Sequence, residues 1–443
     1  MLSQTELERL VAAGELDTVV VAFTDMQGRL QGKRLHARYF ADVVVKHGTE
    51  GCNYLLAVDV EMETVGGYAM ASWERGYGDF EMKPDLDTLC PVPWHEGTVM
   101  VLADLQWGDG SEVVASPRQI LRRQLARLAE RGLVATAATE LEFIVFRDTY
   151  EDAWRKAFRE LEPANLYNVD YSLLGSARVE PLIRRIRNEM GAAGLEVENS
   201  KGECNLGQHE INFKYGEALE AADGHVIYKN GAKEIAAQEG MAITFMAKFN
   251  EAEGSSCHIH CSLAKQEGGN AFAADRPLFE HFVAGQLACM RELTLLYAPH
   301  INSYKRFSPG SFAPTAVAWG NDNRTCSLRV VGHGEGLRVE NRLPGADVNP
   351  YLALAGMIAA GLHGVDSELE LEEPLEGNAY TADKPHVPSN MYDARDLFAA
   401  SDVAREAFGQ EMIDHYLNRA KVELQAFEAT VTDWERFRGF ERL

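Results

Sequence analysis

The chain has 443 residues, 46% of them hydrophobic and 25% charged, with a formal net charge of −24 at neutral pH. This is the make-up of a globular protein with room for two domains, and its acidity argues against nucleic acid or anionic membrane surfaces as partners. No run of 18 apolar residues offers a membrane span.

The amino terminus, "MLSQTELERLVAAGELDTVVV", has acidic residues where a secretory leader needs basic ones. Ser3 predicts the cap of a first helix that stops at Gly14. "DTVVVAFTDMQGRLQGKRL" then predicts two strands around a turn at Gly28, and "GTVMVLADLQW" (97–107) a further strand. The first hundred residues thus read as a small β-rich unit. "SPRQILRRQLARLAERGL" (116–133) predicts a helix capped by Ser116, opened by Pro117 and ended by Gly132, with Ile120, Leu121, Leu125 and Leu128 on one stripe. A domain boundary is expected just before it, giving units 1–110 and 111–443.

Beyond it, "ATELEFIVF", "QHEINFKY", "AITFMAKF", "HIHCSLA" and "CSLRVV" predict strands, and 218–240 and 349–362 predict long helices; the last fifty residues read as mainly helical. The seven cysteines (52, 90, 204, 257, 261, 289 and 326) are scattered, odd in number and free of CxxC spacing. That pattern predicts reduced thiols and a cytoplasmic location.

Chemistry concentrates in four stretches. In "ATELEFIVF" (138–146) a strand puts Glu140 and Glu142 on one face, roughly 7 Å apart, which is costly unless a cation neutralises them. "KGECNLGQHEINF" (201–213) carries Glu203 and Glu210, "GSSCHIHCSL" (254–263) carries His258 and His260, and "LRVENRLPG" carries Glu340 between Arg338 and Arg342. Carboxylates with an imidazole suit Mg²⁺ or Mn²⁺, and six ligands could hold the two ions that bridge phosphates in phosphoryl transfer. Arg306, Arg324, Arg329, Arg338 and Arg342 fall within forty residues, and the guanidinium fork matches carboxylate and phosphate. "PGSFAP" (309–314) has the composition of a flap.

Taken in order over about 220 residues, "TELEF", "GECNLGQHE", "GSSCHIHCSL", "NSYKR", "NRTCSLR" and "RVENRLPGADVNPYLALA" resemble the motifs of the glutamine synthetase family. The resemblance implies an α+β fold: a small N-terminal β-grasp domain and a catalytic domain on a curved antiparallel sheet flanked by helices. It implies that Glu142, Glu203 and Glu210 hold one metal ion and Glu140, His258 and Glu340 a second. Arg306, Arg342 and Gly254 would bind glutamate, Arg324 would stabilise the transferring phosphoryl group, and His260, Ser262, Arg329 and Arg338 would hold ATP. Subunits would form hexameric rings, commonly stacked as dodecamers, with each site completed by a neighbour's small domain.

Two departures bear on the nucleophile. Ammonia-using members carry Asp-Gly-Ser-Ser in the small domain, where this chain has Asp59 followed by Val60, Glu61 and Met62, and a flap glutamate where it has Phe312. A carboxylate takes the proton of ammonium on its way to attack; a phenyl ring instead makes a wall for an amine that carries carbon. The expectation is a ligase joining the γ-carboxyl of glutamate to methylamine, ethanolamine or a polyamine. Asp59 is then the candidate base, and Glu61 and Glu63 are candidates to meet the amine's far end. An ammonia-using enzyme with a rearranged site and an inactive structural or regulatory paralogue are the alternatives. Tyr380, in "GNAYTAD", falls near the modified tyrosine of some family members in altered surroundings, and Glu335 stands where the family has a lysine near ATP.

Overall fold

The structure, a computed structural model, describes residues 2–443. The first helix, Gln4–Ala13, starts where Ser3 Oγ accepts the Glu6 amide at 3.2 Å and ends at a left-handed Gly14. A six-stranded sheet follows, made of β1 (Thr18–Thr24), β2 (Leu30–His36), β3 (Thr49–Cys52), β4 (Asp79–Pro84), β5 (Cys90–Pro91) and β6 (Thr98–Gln106). Its order is β2-β1-β6-β4-β3, with β5 on β6 and with β1 and β6 parallel. The β1–β2 turn requires Gly28: its φ is +79°, and a Cβ there would lie 3.2 Å from Asn349 Cα. Asn349 in turn donates to the carbonyls of Asp25 and Met26 while accepting the Tyr351 amide, so one side chain caps the Pro350–Asp366 helix and docks the turn on it.

The second sheet has nine strands: β7 (Leu133–Phe146), β8 (Val197–Gly202), β9 (Gln208–Phe213), β10 (Gly216–Glu217), β11 (Ala242–Thr244), β12 (Cys257–Lys265), β13 (Trp319–Asn321), β14 (Leu328–Val331) and β15 (Arg338–Asn341). The order is β13-β14-β15-β12-β7-β9-β8, with β10 and β11 also on β7. Pairing is antiparallel except between β13 and β14, which run parallel, so the sheet is not purely antiparallel as expected. One face packs on the Pro117–Ala129 and Ala218–Gln238 helices. The Pro350–Asp366 helix is buried almost all round, which explains its uniformly apolar sequence. It crosses the Arg276–Cys289 helix so closely that a Cβ on Gly285 would sit 2.2 Å from the Ala360 carbonyl.

Three local expectations change. Ser116 holds the N-cap position of the Pro117–Ala129 helix, but its side chain makes no capping bond, and the α-helix ends three residues before Gly132. The strand expected over "AITFMAKF" stops at Thr244, because the next residues bend toward the Gly254 loop. The Pro117–Ala129 helix also buries a charge that the apolar stripe did not foretell. Arg118 donates to both oxygens of Asp223 and to Asp104 and Asp85, at 2.8–2.9 Å, and Tyr351 donates to Asp223 at 2.6 Å. This network joins the first sheet to the helices behind the second. Among the described residues no helix is long and apolar enough to cross a membrane.

Candidate active site

β7 lies in the middle of the second sheet, and its register explains the paired glutamates. Glu140 is opposite His258 on β12, Glu142 is opposite Glu210 on β9, and His260 on β12 is opposite Glu340 on β15. The acids therefore fall into two clusters. The ligand atoms of Glu140, His258 and Glu340 all lie within 4.8 Å of one another, and so do those of Glu142, Glu203 and Glu210. β7 contributes one residue to each cluster, two positions apart.

The clusters differ electrostatically. Burial pushes the Glu142 carboxyl up to about 8, and the neighbouring Glu210 adds to the effect. Glu210 is raised for the same first reason, burial. Glu142 Oε2 accepts from the Ser256 amide at 2.7 Å and from Gln208 Nε2 at 2.8 Å. Burial also opposes ionisation of Glu140, but hydrogen bonds from His258 and His260, at 3.3 and 2.9 Å, outweigh it and hold the carboxyl well below its ordinary range. Burial and the Arg342 guanidinium lower His258 to about 4, so it is a neutral imidazole at pH 7. Glu340 is fully buried between Arg342 and Arg329. The donor set of two glutamates with one histidine and three glutamates suits hard divalent ions.

Glu140, Glu142, Glu203, Glu210 and His258 line a cavity of about 570 Å³ that is also bordered by Gly254, Phe312, Arg324, Arg329 and Arg342, with Glu340 buried behind it. Arg324 is exposed there and has no ion pair among the described residues. A second cavity, of about 500 Å³, is lined by His260, Ser262, Glu335 and Arg338 and shares Glu140, Asn199 and Asn212 with the first. Ser262 Oγ donates to the Leu337 carbonyl, and His260 Nδ1 accepts from Arg338 Nε at 3.2 Å.

Four expected site residues stand elsewhere than the motifs suggested. Arg306 does not reach the cavity. It is 1% exposed and donates to the carbonyls of Leu343 and Arg342 and to Ser256 Oγ. Its chain passes under Gly254, where a Cβ would lie 2.3 Å from Arg306 Cγ; it props the loop instead of presenting donors to a ligand. Arg329 lines the cavity of the acid clusters, bonded to Glu340 and Asp322, and is not in the cavity that holds Arg338.

Asp59 borders neither of these cavities: its carboxylate accepts the Glu63 amide at 2.8 Å. The loop that follows it, which carries Glu61 and Glu63, is tied to the Gln410–Ala429 helix through Asn418 and the Gly66 carbonyl. Phe312 is at the rim and 56% exposed, so within one chain it is not the closed wall expected. Its φ is +56°, rare for a bulky residue. The turn is held by Arg342 Nη2 on the Phe312 carbonyl, at 3.4 Å, and by the Tyr380 hydroxyl on the Ala313 carbonyl, at 3.1 Å.

The motifs missed Lys201, which ion-pairs with Glu203 and lies 3.6 Å from Glu210. They missed Gln208 as well, although it sits inside "GQHE". A lysine in a strand with no clear alternation carries no sequence signal; its approach to Glu210 becomes visible only once β8 is laid beside β9.

Residues 114–438 match the family model described as "Glutamine synthetase, catalytic domain". The chain is 66% identical over 445 residues to γ-glutamylethanolamide synthetase GlnA4 of Streptomyces coelicolor, covering 100% of this chain and 96% of that protein. It is 37% identical over 432 residues to glutamate–isopropylamine ligase of a Pseudomonas species, covering 95% and 94%. In structure it resembles the complex of GmaS with ADP, with a TM-score of 0.87 at 26% identity, covering 99% of this chain and 100% of that one. The chain belongs to the glutamine synthetase family and is an ATP-dependent carboxylate–amine ligase.

Proposed function

We propose that this enzyme joins the γ-carboxyl of glutamate to ethanolamine, forming γ-glutamylethanolamide with conversion of ATP to ADP and phosphate. The similarity that carries the choice of amine is the 66% identity, over the full chain, to a protein named for that product. The replacement of an acid by Phe312 at the rim of the cavity supports a carbon-bearing nucleophile over ammonium.

In this reading a γ-carboxylate oxygen of glutamate attacks the γ-phosphorus of ATP and ADP departs. The amine nitrogen, relieved of its proton, then attacks the acyl carbon of γ-glutamyl phosphate, and phosphate leaves. Glu142, Glu203 and Glu210 would hold one Mg²⁺ or Mn²⁺ and Glu140, His258 and Glu340 another; when bound, these ions supply charge neutralisation for the phosphoryl oxygens. Arg324, which borders this cavity and has no ion pair among the described residues, is assigned to the phosphoryl group as it transfers. Arg342 is fixed by Glu340 and by the flap carbonyl, and with the Gly254 loop it is assigned to glutamate; Arg306 supports both from behind. His260, Ser262 and Arg338 are assigned to the nucleotide, and Arg329, beside Glu340, to its phosphates.

The amine end is incomplete within one chain. Phe312, Tyr171 and Leu173 border the cavity while largely exposed, and Asp59 lies away from it. We assign the closing wall to the 57–82 loop of a neighbouring copy in a ring, which would bring Asp59 to the amine.

The test is steady-state phosphate release with ATP, glutamate and Mg²⁺ or Mn²⁺ against ethanolamine, methylamine, putrescine and ammonium. Ethanolamine is expected to give the highest kcat/KM, and Phe312→Glu to shift preference toward ammonium. Ammonium exceeding every organic amine by about tenfold, ~1.4 kcal/mol of transition-state binding, would end this reading.

A further inference from the structure

We infer that Lys201 is a tethered counter-cation of the Glu142, Glu203 and Glu210 cluster, one that a divalent ion must displace. The inference rests on the metal reading given above for this cluster.

The oxygens of three carboxylates converge within 4.8 Å and concentrate negative charge that a cation can neutralise. Glu142 and Glu210 are 7% and 2% exposed. The positive charge that β8 places among them is Lys201, paired with Glu203 and 3.6 Å from Glu210. It sits two residues before Glu203, and its strand position faces Glu210 in the β8–β9 register, so the backbone fixes its root beside both acids. Lysine's four-carbon stem nevertheless lets the ammonium move. The ammonium already lies 5.0 Å from the centre of the Tyr171 ring, and Asp170 lies next to Glu203 in the same cavity, so groups that could hold the displaced cation are close by.

A divalent ion and an ammonium cannot share Glu203 and Glu210 without strong repulsion. Binding of the ion therefore includes eviction of the lysine, which lowers the apparent affinity of the site. The released ammonium would then stand in the substrate cavity, free to meet an anion. An anionic substrate that holds it there would in turn strengthen ion binding, since coupling between two ligands is reciprocal.

The experiment is a titration of the full-length, EDTA-stripped protein with Mn²⁺ alone, followed by calorimetry and by the electron paramagnetic resonance signal of free Mn²⁺. Glu203→Gln identifies which class of Mn²⁺ site belongs to the cluster. Lys201→Met is expected to tighten that class at least about tenfold, the worth of one charge-assisted contact removed from the competition, and to leave the other class unchanged. Lys201→Arg, which keeps the charge, is expected to stay near wild type, and Lys201→Gln repeats the neutral variant should Lys201→Met not fold. An affinity that is unchanged or weakened in the neutral variants overturns the inference. Absence of any Glu203-dependent Mn²⁺ class in the wild type would instead overturn the metal reading beneath it.

Discussion

Glu142→Gln should stabilise the metal-free enzyme while weakening its response to metal. The folded chain holds the Glu142 proton up to a pKa of about 8, whereas the reference value is 4.5. Between those values the folded state binds a proton that the unfolded state has released. Stability therefore falls as pH rises from about 4.5 to about 8, by about 1.4 kcal/mol per unit, or roughly 3 kcal/mol by pH 7. Glutamine removes that penalty. It can still accept from the Ser256 amide and Gln208, and its new N–H group faces Glu203 and Glu210 as a donor. The assay is denaturant unfolding of both proteins in EDTA across pH 5 to 8. The variant is expected to match wild type near pH 5 and to exceed it increasingly toward pH 8. With Mn²⁺ added, wild type should gain more stability than the variant, which keeps only the Glu140, His258 and Glu340 cluster intact. A variant less stable than wild type in EDTA at pH 7, or a difference that does not change with pH, would refute the electrostatic account of this cluster.

Arg118→Met leaves Asp223 buried without its cation and should cost about 3–5 kcal/mol, read as a fall in the denaturant midpoint. His415 is held near 4 by burial against Tyr68 and Met26. The unfolded chain takes up its proton near pH 6.5 and the folded chain does not, so stability is lost as pH falls from 6.5 toward 4, about 1.4 kcal/mol per unit; His415→Phe should flatten that part of the acid limb in a pH series of melts. Tyr380→Phe removes the bond to the Ala313 carbonyl and loosens the flap. Amine-independent phosphate release should rise about two- to tenfold, the worth of one net hydrogen bond, at unchanged KM for ATP.

Local grammar was legible wherever one residue decides a boundary: Ser3 and Gly14 for the first helix, and Gly28 for the hairpin. The site was legible as residue types, because alternation put Glu140 with Glu142 and His258 with His260; their grouping into two ion sites came only from the family resemblance. What escaped depends on side-chain paths that spacing does not encode. Arg306 and Arg342 look equivalent in sequence, yet only Arg342 borders the cavity; the bare Cα of Gly254 is what lets Arg306 run beneath the loop. Lys201 was missed because its approach to Glu210 depends on the β8–β9 pairing. Phe312 is exposed and Asp59 borders neither cavity, and spacing alone does not say what each would face.

The most direct measurement uses glutamate labelled with ¹⁸O in its γ-carboxylate, with ATP and equal concentrations of ethanolamine and ammonium, and follows products by mass spectrometry. One labelled oxygen should appear in each phosphate released, with γ-glutamylethanolamide as the main product. Unlabelled phosphate, or glutamine as the main product, would contradict the proposed reaction.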